Sequence, residues 1–237
     1  MEIKILKYGN LMGSPDLKKM MRDAGGDTPA ADKIWDDLYE IKLAFGLGGQ
    51  STSVLLIEPA YRELFPAVVD CSYLCADPKS YSDNSISQAL DAIAAAGVDP
   101  ATIKSYLVTH PHGDHFDPRL MSLLPSAAAY SFRDSKIPGT EPLPENFFPP
   151  SFEALDTPGH GTPHCSYIVD LPARNLSVCI AGDLIMSHAH FLSLDNPFSF
   201  SDYDAGRRSV RSVMNALEAR KTIYKMIIPG HGIPFFV

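Results

Sequence analysis

The stretch Val108–Pro118, VTHPHGDHFDP, carries three histidines and two aspartates within eight residues, directly after an apolar run. A solvated turn needs only some of these polar groups. A metal site would use nearly all of them and would need further ligands from elsewhere in the chain. The spacing H-x-H-x-D-H therefore predicts a metal site, provided that later segments supply those ligands.

Three later segments each deliver a metal-type ligand at the end of a strand-like run. The run FEALDTPG leads to His160, LSVCIAG leads to Asp183, and YKMIIPG leads to His231. Ends of neighbouring strands converge at one edge of an α/β sheet, so we expect these side chains to meet the first stretch in space. Taken alone, Asp183 could be a helix cap and His231 a core histidine. Their shared position after strands favours a metal site.

The type and number of these ligands indicate two ions. Imidazole and carboxylate together suit zinc, iron or manganese. Five histidines and two aspartates are too many for one tetrahedral ion. They fit two ions that share a bridging carboxylate.

Composition argues against several classes of function. The chain of 237 residues has a net charge of -8, which argues against a protein that mainly binds nucleic acid. It has no apolar run of about 18 residues, so no membrane span is expected. The start, MEIKILKYGN, lacks the features of a signal peptide, and the four cysteines form no C-x-x-C pair. We therefore expect a cytoplasmic protein with reduced thiols.

The order of the predicted elements indicates an α/β protein with two sheets. Strand-like runs fall in two groups, each joined to helices, and no linker divides the chain, so residues 1–237 are predicted to form one domain. Helices are predicted in an insertion around residues 13–46. They would either shape a substrate pocket or form a homodimer contact, and both alternatives stay open. Residues 133–150, rich in proline and polar side chains, are expected to form a surface loop.

From about Ser51 to Val237, roughly four-fifths of its length, the chain resembles the metallo-β-lactamase superfamily. The motifs that carry the resemblance are THPHGDH, TPGHG, IAGD and IPGHG, in the family's order and at similar intervals. The resemblance implies an αββα sandwich of two mixed β-sheets flanked by helices, with a dinuclear metal site at one edge of the sheets.

The resemblance also implies a role for each ligand. One ion would be bound by three histidines: His110, His112 and His160. The other would be bound by three side chains that include a carboxylate: Asp114, His115 and His231. Asp183 would bridge the two ions. Asp70 matches an aspartate that steadies a ligand histidine in the family, although Ser72 stands where the family usually has glycine.

The bridging aspartate narrows the branch of the superfamily. The commonest class of true metallo-β-lactamases has cysteine at the position of Asp183, so an antibiotic hydrolase is not expected. The chain is more similar to glyoxalase II, the quorum-quenching lactonases and the tRNA 3′-end-processing nucleases. We do not expect the glutathione-binding helical domain of glyoxalase II or the tRNA-binding arm of the nucleases in this chain.

These features predict a metal-dependent hydrolase of a small molecule. Two ions would activate water to cleave an ester, thioester or lactone. Zinc is the first candidate for these ions, and iron and manganese are alternatives. Asp114 and Asp183 would orient the water and relay a proton. One alternative is an oxidoreductase similar to the persulfide dioxygenases, with a single iron on three ligands: His110, His160 and Asp183. A phosphodiesterase and a non-catalytic binding protein are further alternatives.

The remaining histidines suggest where a substrate would bind. His164 follows His160 by four residues, and His188 and His190 lie between the bridging aspartate and the longest helical pattern. We predict that these three side chains contact the substrate, with support of a ligand as the alternative for His164. The segment around residues 186–201 would be a lid over the site or a plain surface loop.

Overall fold

The computed structural model describes the following parts of the chain: residues 1–10, 49–74, 85–132, 137–144, 148–161, 163–192 and 200–237. The helical insertion predicted around 13–46 lies outside the described residues. Within them, no helix is both long and apolar enough to cross a membrane.

The first half of the chain builds a six-stranded sheet in the order β1-β2-β3-β4-β5-β6. Its strands are β1 Glu2–Lys7, β2 Ser53–Ile57, β3 Ala67–Val69, β4 Ser105–Leu107, β5 Ala128–Ser131 and β6 Glu141–Pro142. The pairs from β1 to β3 are antiparallel, and those from β3 to β6 are parallel. Helix α1, Ser85–Ala95, lies between β3 and β4 in the chain.

The second half builds a five-stranded sheet in the order β11-β10-β9-β8-β7. Its strands are β7 Phe152–Asp156, β8 Cys165–Leu171, β9 Leu176–Ile180, β10 Tyr224–Ile228 and β11 Phe235–Phe236. Only β9 and β10 are parallel. The short helix α2, His188–Leu192, and the long helix α3, Tyr203–Glu218, connect β9 to β10. The prediction of two sheets with flanking helices is confirmed.

Alternation of side chains along the strands explains the layers. In β2, Val54 and Leu56 face the other sheet, while Leu55 faces the side covered by α1. Because successive side chains of a strand point to opposite faces, a run such as SVLLI is apolar on both sides only when both faces are covered. Ile93 of α1 and Val213 of α3 are fully buried against the outer faces of the two sheets. The result is a four-layer αββα sandwich.

Two elements differ from the sequence-based predictions, and a 3₁₀ helix at Pro118–Leu123 follows Asp117. The expected loop at 133–150 includes the short strand β6. Strand β5 was not predicted because its alanines have little preference for strands; it forms because its backbone pairs with β4 in the buried sheet.

The ends of four strands meet at one edge of the sandwich. Strands β7, β9 and β10 all run toward this edge, as follows from their pairings within the second sheet. The segment after β4 in the first sheet reaches the same edge, where the rings of His110 and His160 lie 5.0 Å apart. Two backbone hydrogen bonds tie the sheets together there: Cys165 N–H donates to Thr109 O at 2.9 Å, and Thr52 N–H donates to Gly230 O at 2.6 Å. The loops that follow these strands therefore project into a shared space.

Candidate metal centre

The loop after β4 and the loop after β7 bring three histidines together. His112 Nδ1 lies 2.9 Å from His110 Nε2 and 3.1 Å from His160 Nε2. His112 is exposed, so we call these three side chains the open group. Three ring nitrogens that converge on one point form an arrangement that a cation can occupy between them.

The loop after β4 also contributes to a second cluster with the loop after β10. His231 Nε2 lies 3.5 Å from Asp114 Oδ2, and His115 Nε2 lies 3.8 Å from the same oxygen. All three side chains are buried, and we call them the buried group. Their ligand atoms lie close enough to one another to hold one ion.

Asp183, on the loop after β9, stands between the two groups and turns one oxygen to each. Its Oδ2 lies 3.3 Å from His160 Nε2 and 3.8 Å from His110 Nε2. Its Oδ1 lies 3.0 Å from His115 Nε2 and 3.3 Å from His231 Nε2. A carboxylate with this orientation can contribute a ligand to each of two ions.

The distances and the unsatisfied atoms fit metal ions. Ligand atoms 2.0–2.1 Å from a tetrahedral zinc lie about 3.3 Å from one another, and the separations given above scatter around that value. Asp183 Oδ1 and His115 Nε2 are buried, and with His115 Nδ1 donating to Asp70 they face each other at 3.0 Å as two acceptors. Buried acceptors rarely face each other without a donor or a cation between them, so this pair fits a bound cation.

Hydrogen bonds to the far side of the ring orient the histidines of the buried group. His115 Nδ1 donates to Asp70 Oδ2 at 2.9 Å. His231 Nδ1 contacts two backbone carbonyls, Gln50 O at 2.9 Å and Asn10 O at 3.0 Å. Because a neutral imidazole has one N–H, donation from Nδ1 leaves Nε2 as an acceptor directed at the ion site.

Asp70 also acts on the open group through Thr109. The Thr109 hydroxyl donates its only hydrogen to Asp70 Oδ2 at 2.8 Å. Thr109 Oγ1 can then only accept from His110 Nδ1, which lies 3.0 Å away. One carboxylate thus sets the tautomer of a histidine in each group. Thr109 was not predicted as a site residue; its position directly before the first ligand histidine is the signal that could have identified it.

Charge in the site favours a cation at the buried group. Burial alone would lower the pKa of His115, but the carboxylates of Asp183, Asp70 and Asp114 raise it well above its usual value. Burial alone would also lower the pKa of His231, but the carboxylates of Asp183 and Asp114 together raise it. In the open group the balance is reversed, since burial lowers the pKa values of His110 and His112.

Two glycines allow the backbone to approach Asp183. A Cβ on Gly230 would collide with Asp183 Oδ1. Gly182 has φ +54°, and a Cβ there would lie 2.7 Å from Thr109 Oγ1. Side chains at either position would displace the shared carboxylate or its neighbours.

The three histidines predicted to bind substrate lie in different environments. His164 is buried, and burial lowers its pKa to about 3. His190 is buried beside Phe200, and its Nδ1 accepts from Met186 N–H at 3.2 Å. His188 is exposed and stacks on Phe235 with ring centroids 4.4 Å apart. Substrate contact by these side chains stays a prediction, as does the lid at 186–201, of which residues 193–199 lie outside the described parts.

Comparison with known proteins supports the architecture. No family model and no curated protein sequence matches the chain. Among solved structures, a candidate metallo-β-lactamase from Thermotoga maritima is similar, with a TM-score of 0.61 and 16% identity over 100% of this chain and 99% of that one. The chain has the metallo-β-lactamase fold. The αββα sandwich implied by the sequence motifs is thereby confirmed.

Two lactonases share this metallo-β-lactamase fold. An N-acyl homoserine lactone hydrolase, solved with its product bound at the catalytic metal centre, has a TM-score of 0.57 and 16% identity over 77% of this chain and 81% of that one. A dizinc quorum-quenching lactonase has a TM-score of 0.52 and 14% identity over 75% of this chain and 71% of that one. At these identities, the similarity concerns the fold.

Proposed function

We propose that this protein is a metal-dependent hydrolase that uses two divalent ions to cleave an ester, thioester or lactone of a small molecule. Zinc is the first candidate for these ions. The observation that carries the proposal is the position of Asp183, with one oxygen toward the open group and the other toward the buried group. The fold shared with a dizinc lactonase supports it.

The side chains have distinct roles in this proposal. A pair of bound divalent ions supplies a nucleophile by lowering the pKa of water to about 7 and also polarises a carbonyl oxygen. The open group would hold one ion, the buried group would hold the other, and Asp183 would be shared between them. Asp114 and Asp183 would orient the water and accept its proton, because each carboxylate has an oxygen within 3.5 Å of His231 Nε2 at the buried group.

The substrate would approach from the side of the open group. His112 is the exposed member of the cluster, whereas Asp114, His115 and His231 have 3% or less of their surface exposed. A small molecule with a carbonyl group could therefore reach the ions past His112 while the buried group stays shielded from bulk water. Shielding strengthens the electrostatic stabilisation of the developing oxyanion.

Elemental analysis of protein purified without added metal tests the proposal. We expect about two zinc, iron or manganese ions per chain, and hydrolysis in a panel of lactones, thioesters and esters. A His110→Ala/His112→Ala variant should lose metal and activity together, whereas the exposed His188→Ala control should keep its metal. A double variant that retained both would contradict the proposal. A single iron per chain would favour the dioxygenase alternative.

A further inference from the structure

We propose that His164 is a positioning residue that holds the shared carboxylate of Asp183 in its bridging orientation. The inference rests on the proposed function, because it concerns the residues that would hold the two ions. His164 lies directly before β8, and its ring packs beside that of His110, with centroids 5.0 Å apart and planes 30° apart.

Both nitrogens of the His164 ring are used by the protein. Nε2 accepts from Leu184 N–H at 3.2 Å, and Nδ1 lies 2.9 Å from Thr157 Oγ1. The side chain is 1% exposed. Both nitrogens are engaged within the protein, and the contact with Leu184 N–H ties the ring to the loop after β9.

The hydrogen bonds form a chain with one consistent direction. The Ser166 hydroxyl donates to Ala181 O at 2.9 Å, so Ser166 Oγ accepts from the Thr157 hydroxyl 3.0 Å away. Thr157 Oγ1 in turn accepts from His164 Nδ1. His164 Nε2 is then the acceptor for Leu184 N–H, which is the tautomer that the other contacts require.

The two ends of this series of hydrogen bonds bind the backbone on either side of the turn that carries Asp183. One end is the carbonyl of Ala181 and the other is the amide of Leu184, so the residues between them are Gly182 and Asp183. Gly182 occupies the left-handed region, and a Cβ there would lie 3.0 Å from His164 Nε2. The series of hydrogen bonds therefore encloses a turn whose backbone has few alternative conformations.

Two substitutions at His164 distinguish the effect of losing the Nε2 acceptor from the effect of losing the ring itself. His164→Gln places an oxygen near the position of Nε2 and keeps the acceptor for Leu184 N–H. His164→Asn keeps a donor toward Thr157 and loses that acceptor. Zinc affinity of the full-length protein would be measured by competition with a chromophoric chelator, and melting temperature in parallel.

We expect His164→Asn to weaken zinc binding about tenfold at both sites, because Asp183 is shared. His164→Gln keeps the acceptor for Leu184 N–H but not the donor to Thr157, so we expect it to bind zinc more tightly than His164→Asn. The control Ser177→Ala removes a buried hydroxyl at the other end of β9, where it contacts Asp170 and Thr222. It should lower the melting temperature without changing zinc affinity. A purely structural role for His164 would make its variants behave like this control.

A second pair covers the case in which the His164 variants do not fold. Thr157→Val removes the hydroxyl that links His164 to Ser166, and Thr157→Ser keeps it. We expect the valine variant to bind zinc more weakly than the serine variant. Equal zinc affinity within both pairs would overturn the role of His164 and leave the proposed function intact. A wild-type protein that binds no zinc, iron or manganese would overturn both.

Discussion

The open group and the buried group use the same kinds of ligand but are supported differently. In the buried group, His115 is held by a carboxylate and His231 by two backbone carbonyls. In the open group, His110 reaches the same carboxylate only through Thr109, and His112 is exposed. Under the proposed function, this difference predicts that the buried group binds its ion more tightly and that the substrate approaches the open group.

The largest expected effect follows from removing what the two groups share. Asp183→Asn keeps the shape of the side chain and removes its charge. We expect loss of both ions and a fall in hydrolysis rate of about 10³-fold or more, because a ligand and a proton acceptor are lost together. Metal per chain and turnover of the best substrate check this. Asp170→Asn, distant from the site, is the control, and a variant that still bound two ions would refute the bridging role.

A smaller effect should separate the two groups. Asp70 accepts hydrogen bonds from the Thr109 amide, the Thr109 hydroxyl and His115 Nδ1. Asp70→Asn places an amide that cannot accept at one of these positions, so we expect the buried group to lose roughly 10–100-fold in metal affinity. Thr109→Val should weaken the open group instead.

Titration with zinc under conditions that resolve two dissociation constants measures both variants. Asp70→Asn should change the tighter constant most and, through Thr109, the weaker one to a smaller extent, whereas Thr109→Val should change mainly the weaker one. If both variants changed the same constant most, the two groups would not depend on different supporting contacts.

The smallest expected effect is a difference in the number of protons that each group releases when it binds metal. Carboxylates raise the pKa values of His115 and His231, which favours the protonated forms of these rings in the metal-free protein. Burial lowers the pKa values of His110 and His112, which favours their neutral forms. Metal binding to the buried group should therefore release protons, whereas metal binding to the open group should release few. Acidification should lower the metal affinity of the buried group more than that of the open group.

Calorimetric titration with zinc in buffers of different ionisation enthalpy counts the released protons for each ion. Release on binding of the tighter ion is the expected result. Release confined to the weaker ion would reverse the assignment of affinities to the two groups.

Much of the fold and most of the candidate site could be predicted from sequence, because their signals are local. Alternating apolar residues mark the buried strands, and each ligand segment begins within a few residues of a strand, as His110 comes three residues after β4 and His231 three residues after β10. Ligand type also reports the chemistry, since imidazole and carboxylate select the metals that bind there. The chain itself therefore determines that these ligand types meet at the ends of its strands.

The tertiary structure decided how those ligands are held. The carbonyls of Asn10 and Gln50 that orient His231 belong to residues 221 and 181 positions away, and a backbone carbonyl leaves no mark in a sequence. The two directions of the Asp183 carboxylate, and the use of His164 by the loop after β9, depend on which side chains three strands bring within 3–4 Å. Such contacts arise from packing, because hydrogen bonds depend on distances that spacing along the chain does not specify.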